Sequence, residues 1–190
     1  MTTGGRRWAS QAGYNLLELM LVLGITGILS GMAVLQMNSA RPGLKADGGM
    51  RIVLSKMNQA REMAITQRRN MRVSFLGVNQ VQIIREEVPG PATTVLSSAI
   101  MEGGVQFLLV SGLTDTPDAF GNSAAIAFGS ATEVKFLSDG TLVNQTGATL
   151  NGSVFLAISN LPLSARAVTV LGSTGRVRGY RWDGRHWTRV

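Results

Sequence analysis

The sequence contains no cysteine and only one histidine, His186, among its 190 residues. The missing thiols exclude disulfides, thiolate metal sites and cysteine nucleophiles. His186 lies in a basic carboxy-terminal stretch, and no serine or acid pattern accompanies it that would indicate a catalytic triad. We therefore expect no enzymatic activity, no cofactor and no resident metal ion.

Acidic residues are also scarce, with 11 Asp and Glu against 18 Lys and Arg, which gives a net charge of +7. This excess favours anionic partners such as nucleic acid or lipid headgroups. A charged content of only 15%, together with 23 glycines, is typical of a β-rich extracytoplasmic domain joined to a membrane helix. The length suits one anchor helix and one soluble domain of about 120 to 145 residues.

Charge is missing altogether from the 22 residues between positions 19 and 40. A helix rises about 1.5 Å per residue, so this run can cross a bilayer core of roughly 30 Å. Glu18 immediately precedes the run. A carboxylate in a membrane helix costs on the order of 2 to 3 kcal/mol, so it is usually retained because it meets a partner. Arg6 and Arg7 predict a cytoplasmic amino end and a head on the periplasmic side.

The segment Gly13-Tyr14-Asn15-Leu16-Leu17-Glu18 resembles the type III signal of type IV prepilins and type II secretion pseudopilins. In that family a prepilin peptidase removes a short basic leader that ends in glycine, and the new terminal residue is N-methylated. The resemblance implies cleavage between Gly13 and Tyr14 and methylation of Tyr14. It also implies that Glu18 neutralises the terminal amine of a neighbouring subunit during filament assembly.

Two other interpretations of this region compete with the prepilin signal. An ordinary secretory signal peptide would be cleaved near Ser39-Ala40, but its apolar region is normally shorter and carries no acid. A plain single-pass membrane anchor is the second alternative. Gly27 and Gly31 form a small-xxx-small pair that would let another membrane helix approach closely.

The predicted organisation is a leader over residues 1–13, an apolar helix over 14–42 and a head over 43–190. Arg41-Pro42-Gly43 is expected to interrupt the helix, because proline lacks an amide proton. A second, amphipathic helix over residues 46–69 carries a one-sided apolar stripe. The stripe consists of Met50, Val53, Leu54, Met57, Ala60, Ala64 and Ile65.

Short strands follow the second helix. Alternating patterns predict them at 71–76, 81–86, 94–101, 105–110, 124–128, 133–137, 154–158 and 167–171, with turns at 77–79 and 138–140. The spacing favours an antiparallel two-sheet domain. Residues 54–75 resemble the GspH/FimT family of minor pilins and pseudopilins. That resemblance implies an α+β, type IV pilin-like fold in which the helix packs on the sheets, and a subunit near the filament tip.

The last sixteen residues, 175–190, concentrate five arginines against one acid, Asp183. Asp183-Gly184 predicts a two-residue hairpin turn that pairs Trp182 with Arg185, Tyr180 with Trp187, and Arg178 with Arg189. Strand alternation would then put arginines and aromatic rings on one face. The predicted face consists of Arg176, Arg178, Tyr180, Trp182, Arg185, Trp187 and Arg189.

Two interpretations of this face remain open. It could bind DNA, with arginines on phosphates and rings stacked on bases, and Gly175-Arg176-Val177-Arg178 resembles an element of the DNA-binding minor pilin of natural transformation. Alternatively, the arginines rigidify the hairpin by lying over the rings or pairing with Glu86 and Glu87.

Residues 112–123 contain Asp115, Asp118 and Asn122, whose oxygens could bind a hard cation. We favour a solvated loop without a metal.

Overall fold

This computed structural model describes residues 15–129 and 132–190, and within these ranges the chain forms one α-helix and eleven β-strands. Gly13 and Tyr14 lie outside the described residues. The helix α1 spans Leu16–Gln67. The strands are β1 Met71–Leu76, β2 Gln80–Glu86, β3 Thr93–Ile100, β4 Val105–Phe107, β5 Ile126–Ala127, β6 Glu133–Phe136, β7 Leu142–Val143, β8 Gly152–Ile158, β9 Leu161–Leu171, β10 Arg176–Trp182 and β11 Trp187–Arg189.

Helix α1 begins at a side-chain cap. The Asn15 Oδ1 accepts a hydrogen bond from the Leu17 backbone N–H at 3.3 Å, which satisfies one of the free amides at the helix start. Glu18 is the third helical residue, where a negative charge also suits the helix dipole. The Asn-x-x-Glu spacing is therefore a helix-start signal in its own right.

The chain divides into two compact units, Met1–Ala40 and Arg41–Val190, and each is described by itself. In the described part of the first unit, one segment, Leu16–Ala33, is long and apolar enough to cross a membrane. That segment is 0% buried. The expectation of an amino-terminal apolar helix is confirmed.

The predicted helix interruption at residues 41–43 is wrong, because α1 continues through Pro42. Proline removes one backbone hydrogen bond and costs about 3 kcal/mol in a helix interior. Tertiary contacts on its carboxy-terminal side offset that cost. The Gly43 carbonyl accepts a hydrogen bond from Arg166, and Ala46 and Met50 are fully buried.

The head part of α1 buries one face, as the apolar stripe predicts. Met50, Val53, Met57, Ala60 and Ala64 all have 0% exposure. Two members of the predicted stripe lie at its margin, since Leu54 is half-buried and Ile65 is 40% exposed. The α1 face therefore forms one wall of the main core.

Two antiparallel sheets form the rest of the head, in agreement with the predicted α+β class. Sheet A has five strands in the order β3-β2-β1-β6-β7. Sheet B has six, in the order β11-β10-β9-β8-β4 with β5 also paired to β8. The two-residue strand β7 and the first six residues of β9 were not expected from the sequence. Two residues cannot show a period, and Pro162 argues against a strand at the start of β9.

Both faces of sheet B are covered. Val154, Leu156, Val168 and Val170 join the main core beneath α1. The residues between them in the strands point the other way, into a second cluster. That second cluster contains Phe155, Ala165, Ala167, Tyr180, Trp182 and Trp187.

Arg68 ends helix α1 in a conformation that favours glycine. Its φ is 50°, and the next amide, Arg69 N, bonds back to the Ala64 carbonyl at 3.2 Å, as in a Schellman motif. We predict that Arg68→Gly raises the free energy of unfolding by about 1 kcal/mol, because glycine has no Cβ penalty there. Urea unfolding of the full chain in detergent, followed by circular dichroism, measures this change.

Arg69→Gly is the matched control, because it removes the same charge at a residue whose φ is not positive. It should lower stability or leave it unchanged. Equal effects of the two substitutions would contradict the assignment of strain to Arg68.

Candidate functional site

The carboxy-terminal hairpin forms, but with a longer loop than the sequence predicts. Trp182 pairs with Trp187 and Tyr180 pairs with Arg189, so four residues, 183–186, make the turn. The predicted pairs, with Trp182 opposite Arg185, are wrong by two residues on the second strand. The Asp183 carboxylate explains the difference, because its Oδ1 accepts from the backbone N–H groups of both Arg185 and His186, each at 2.8 Å.

A shift of two residues preserves the face on which each strand residue lies. The hairpin therefore does place arginines and rings together, on the outer face of sheet B, but Arg185 leaves this face for the turn. The three rings are not open to solvent, since Tyr180 is 3%, Trp182 9% and Trp187 6% exposed. A base could not stack on them in this fold.

The cover over these rings is the loop 108–125, which joins β4 to β5. Leu109, Val110 and Leu113 pack against the aromatic cluster. The Trp187 Nε1–H donates to the Thr114 carbonyl at 2.8 Å. Trp182 and Trp187 also contact each other edge to face, with ring centroids 5.3 Å apart.

Asp118 fastens this loop to the sheet. Its Oδ1 accepts from Arg178 Nη1 at 2.5 Å, and its Oδ2 accepts from Thr169 Oγ1 at 2.6 Å and from the Tyr180 hydroxyl at 2.9 Å. The Asp118 and Arg178 side chains are only 12% and 22% exposed. The carboxylate thus meets strands β9 and β10 at once.

The surroundings of Asp118 favour its charged form. Burial raises the pKa of this carboxyl, but hydrogen bonds from Thr169 and Tyr180 and the nearby Arg178 charge outweigh burial and hold the pKa below its ordinary value. Burial, together with the hydrogen bond to Asp118, raises the pKa of Tyr180. The phenol therefore remains a donor to the ionised carboxylate at neutral pH.

The other arginines of the predicted face have different surroundings. Arg176, Arg185 and Arg189 are exposed, and within residues 15–129 and 132–190 none of them forms an ion pair. The expected partners Glu86 and Glu87 are engaged elsewhere. Glu86 pairs with Arg72 and Lys135, and Glu87 pairs with Arg85.

A second polar cluster, which the sequence analysis missed, joins α1 to sheet B. Asp47 accepts from Arg166 Nε at 2.6 Å and from Arg181 Nη2 at 2.7 Å. The Arg166 side chain is 3% exposed and also donates to the carbonyls of Gly43, Leu163 and Ala165. A single arginine in an apolar strand is the only sequence signal for this cluster.

The oxygens considered for a cation do not converge. Asp115 accepts from the backbone N–H groups of Thr116 and Gly121, and the Asn122 amide donates to the Leu113 carbonyl. Asp118 is directed at sheet B instead. Among the described residues, no group of three or more His, Cys, Asp or Glu side chains is arranged to hold a metal.

The residues of the first unit that are predicted to act in assembly lie on an exposed helix surface. Glu18 is exposed in the first turn of α1. A Cβ added to Gly27 or Gly31 would meet no atom within 4 Å. The small-residue pair is therefore free to receive another helix, and that packing stays a prediction.

Comparison with known proteins gives matches among solved structures alone. No protein-family model matches the chain, and no curated protein matches it. Two solved structures that match are of a type IV minor pilin. Two crystal forms of FimU from Pseudomonas aeruginosa PAO1 each have a TM-score of 0.48 and 14% identity. The match to the P21 form covers 69% of this chain and 84% of the FimU chain. The match to the P65 form covers 70% of this chain and 90% of the FimU chain.

We predict that Asp118→Ala lowers the free energy of unfolding by about 1 to 3 kcal/mol, because the buried Thr169 and Tyr180 hydroxyls lose their acceptor. Trp187 should become more exposed as the loop 108–125 loosens. Urea unfolding of the full chain in detergent, followed by tryptophan fluorescence, measures both effects. Asp115→Ala is the control for a loss confined to the loop, because the Asp115 carboxylate accepts hydrogen bonds from Thr116 and Gly121 in the same loop.

The charge of Asp118 should also make stability depend on pH. Its folded pKa is depressed, so its contribution is present above the unfolded value of about 3.9 and is lost as pH falls through the folded pKa. Wild type should therefore lose, below about pH 4, a part of its stability that Asp118→Asn never has. Parallel pH profiles for the two proteins would contradict this role.

Proposed function

We propose that the protein is a membrane-anchored, pilin-like filament subunit. The observation that carries this proposal is the apolar segment Leu16–Ala33, which is 0% buried and holds one acid, Glu18, in its first turn. An open apolar helix needs either lipid or other helices around it. The helix of a pilin-like subunit has both surroundings in succession: lipid while the subunit is in the membrane, and other helices once it is in the filament core.

Within this class, we propose a minor pilin or pseudopilin. A prepilin peptidase cleaves after Gly13, the Tyr14 amine is methylated, and Glu18 neutralises that amine on the next subunit. The head then lies near the tip of a type II secretion pseudopilus or a type IV pilus. The support is the Gly-Tyr-Asn-Leu-Leu-Glu motif and the high cost of an unpaired carboxylate in an apolar surrounding.

The assembly role of Glu18 predicts that Glu18→Gln abolishes incorporation into filaments while leaving the protein in the membrane. Glutamine keeps the size of the side chain and suits the third position of a helix, so the loss would report the charge and not helix formation. Immunoblots of sheared filaments and of membranes measure the two pools. Glu62→Gln, at an exposed position of α1 in the head, is the control and should assemble normally. Normal assembly of Glu18→Gln would overturn the proposal.

A second candidate function is DNA binding by the hairpin. The observation in its favour is the set of three exposed arginines, Arg176, Arg185 and Arg189, which have no acid partner among the described residues. The buried rings and the Arg178–Asp118 pair leave phosphate contacts, not base stacking, as the source of affinity. Such binding would be insensitive to sequence and sensitive to salt.

If these arginines bind DNA, changing all three to alanine should reduce the slope of log affinity against log salt by about 2.7 for duplex DNA, because each phosphate that an arginine neutralises contributes about 0.9 to that slope. Fluorescence anisotropy of the full chain in nonionic detergent across a salt series measures the slope. The control variant changes three other exposed arginines, Arg41, Arg51 and Arg68, to alanine, and so removes the same total charge. Equal reductions in the two triple variants would indicate net charge alone and would reject a hairpin site.

A further inference from the structure

Three exposed leucines lie at the start of the head and at the start of strand β9. Leu44 is 69%, Leu161 42% and Leu163 66% exposed. Isolated leucines on a surface need no explanation, but a group of them at one place indicates a contact surface.

One buried guanidinium holds two of these leucine-bearing segments side by side. Arg166 Nη1 donates to the Leu163 carbonyl at 3.1 Å, and Nη2 donates to the Gly43 carbonyl at 3.2 Å. The chain at Leu163 and the chain at Gly43–Leu44 therefore flank a single planar group. Leu161 lies two residues before Leu163, at the start of β9.

The hairpin turn borders the same leucines and adds positive charge. A Cβ placed on Gly184 would lie 3.3 Å from Leu163 Cδ2, so the 183–186 turn is in contact with that side chain. Arg185 is exposed in this turn. Arg41, also exposed, is the first charged residue after Glu18. We name the three leucines with Arg41 and Arg185 the basal face.

We propose that the basal face rests on the anionic phospholipid surface of the membrane in which the chain is anchored. Arg41 directly follows the 22 uncharged residues, a run about as long as a bilayer core is thick. Leu44 is three residues further on, at most about 11 Å of chain. Leucines that enter the headgroup boundary beside cations that attract anionic lipid are the composition of an interfacial contact. This inference rests on the membrane anchoring proposed above.

The absence of cysteine allows a direct test, since one introduced cysteine carries the only label. The full chain with Leu163→Cys, labelled with bimane, is placed in nanodiscs containing brominated phosphatidylethanolamine and phosphatidylglycerol. We expect strong quenching of this label. Ser138→Cys is the matched control. Gly140, two residues after Ser138, lies next to Ile65 of α1, and Ile65 is 21 residues, or roughly 31 Å, along the helix from Leu44. Its label should not be quenched.

The charges provide a second readout. Replacing Arg41 and Arg185 by glutamine should shift the equilibrium towards the head detached from the bilayer, by about fivefold for each cation removed. Replacing the anionic lipid by phosphatidylcholine should weaken the contact to a similar extent. Quenching that is equal in neutral and anionic nanodiscs would overturn the proposed lipid preference. A label at position 163 that is shielded only at high protein density would indicate a second copy as the occupant and would overturn the proposal.

A label at Leu23→Cys separates this inference from the proposed function. Quenching at position 23 without quenching at 163 would reject the basal face and leave the anchoring intact. No quenching at position 23 would reject the anchoring itself.

Discussion

The position of helix α1 on sheet B depends on the hydrogen bonds of one buried group, the Arg166 guanidinium. It lies between helix α1 and strand β9, and its hydrogen bonds reach Asp47 and the carbonyls of Gly43, Leu163 and Ala165. A planar group with fixed donor directions restricts the position of the helix on the sheet. The same position brings α1 over Gly179, where a Cβ would come within 2.9 Å of Leu54 Cδ1. A charge with only 3% exposure is tolerated because each of its three nitrogens donates a hydrogen bond and Asp47 supplies the opposite charge.

Sheet B has an apolar cluster on each face, and this determines what the carboxy-terminal arginines can do. Helix α1 covers one face and the loop 108–125 covers the other. An open face with Tyr180, Trp182 and Trp187 would expose a large apolar patch, which soluble domains rarely do. The loop covers that patch, and Arg178 is paired with Asp118 of the loop. The charge that remains outside is carried by the ends and the turn of the hairpin.

Local periodicity made most of the fold predictable from the sequence. The stripe from Met50 to Ala64 and the alternation in β1 and β2 both arise within a few residues, so they could be recognised without knowing the fold. The hairpin register could not, because Asp183-Gly184 suits turns of more than one length and the Asp183 hydrogen bonds decide between them. Burial of Trp187 depends on Thr114, which is 73 residues away. The path of α1 through Pro42 likewise depends on a distant partner, Arg166.

The loop 108–125 carries a carboxylate, Asp118, that competes with external anions for Arg178 of the hairpin. Asp118 presents two carboxylate oxygens to Arg178, Thr169 and Tyr180, which are donors that can also bind phosphate oxygens. Because the carboxylate belongs to the same chain, its effective concentration at this position is on the order of millimolar or higher. A free phosphate or a nucleic acid backbone must displace that tethered group before it can use Arg178. The head therefore keeps Arg178 from weak anions, and its exposed arginines, Arg176, Arg185 and Arg189, remain to meet them.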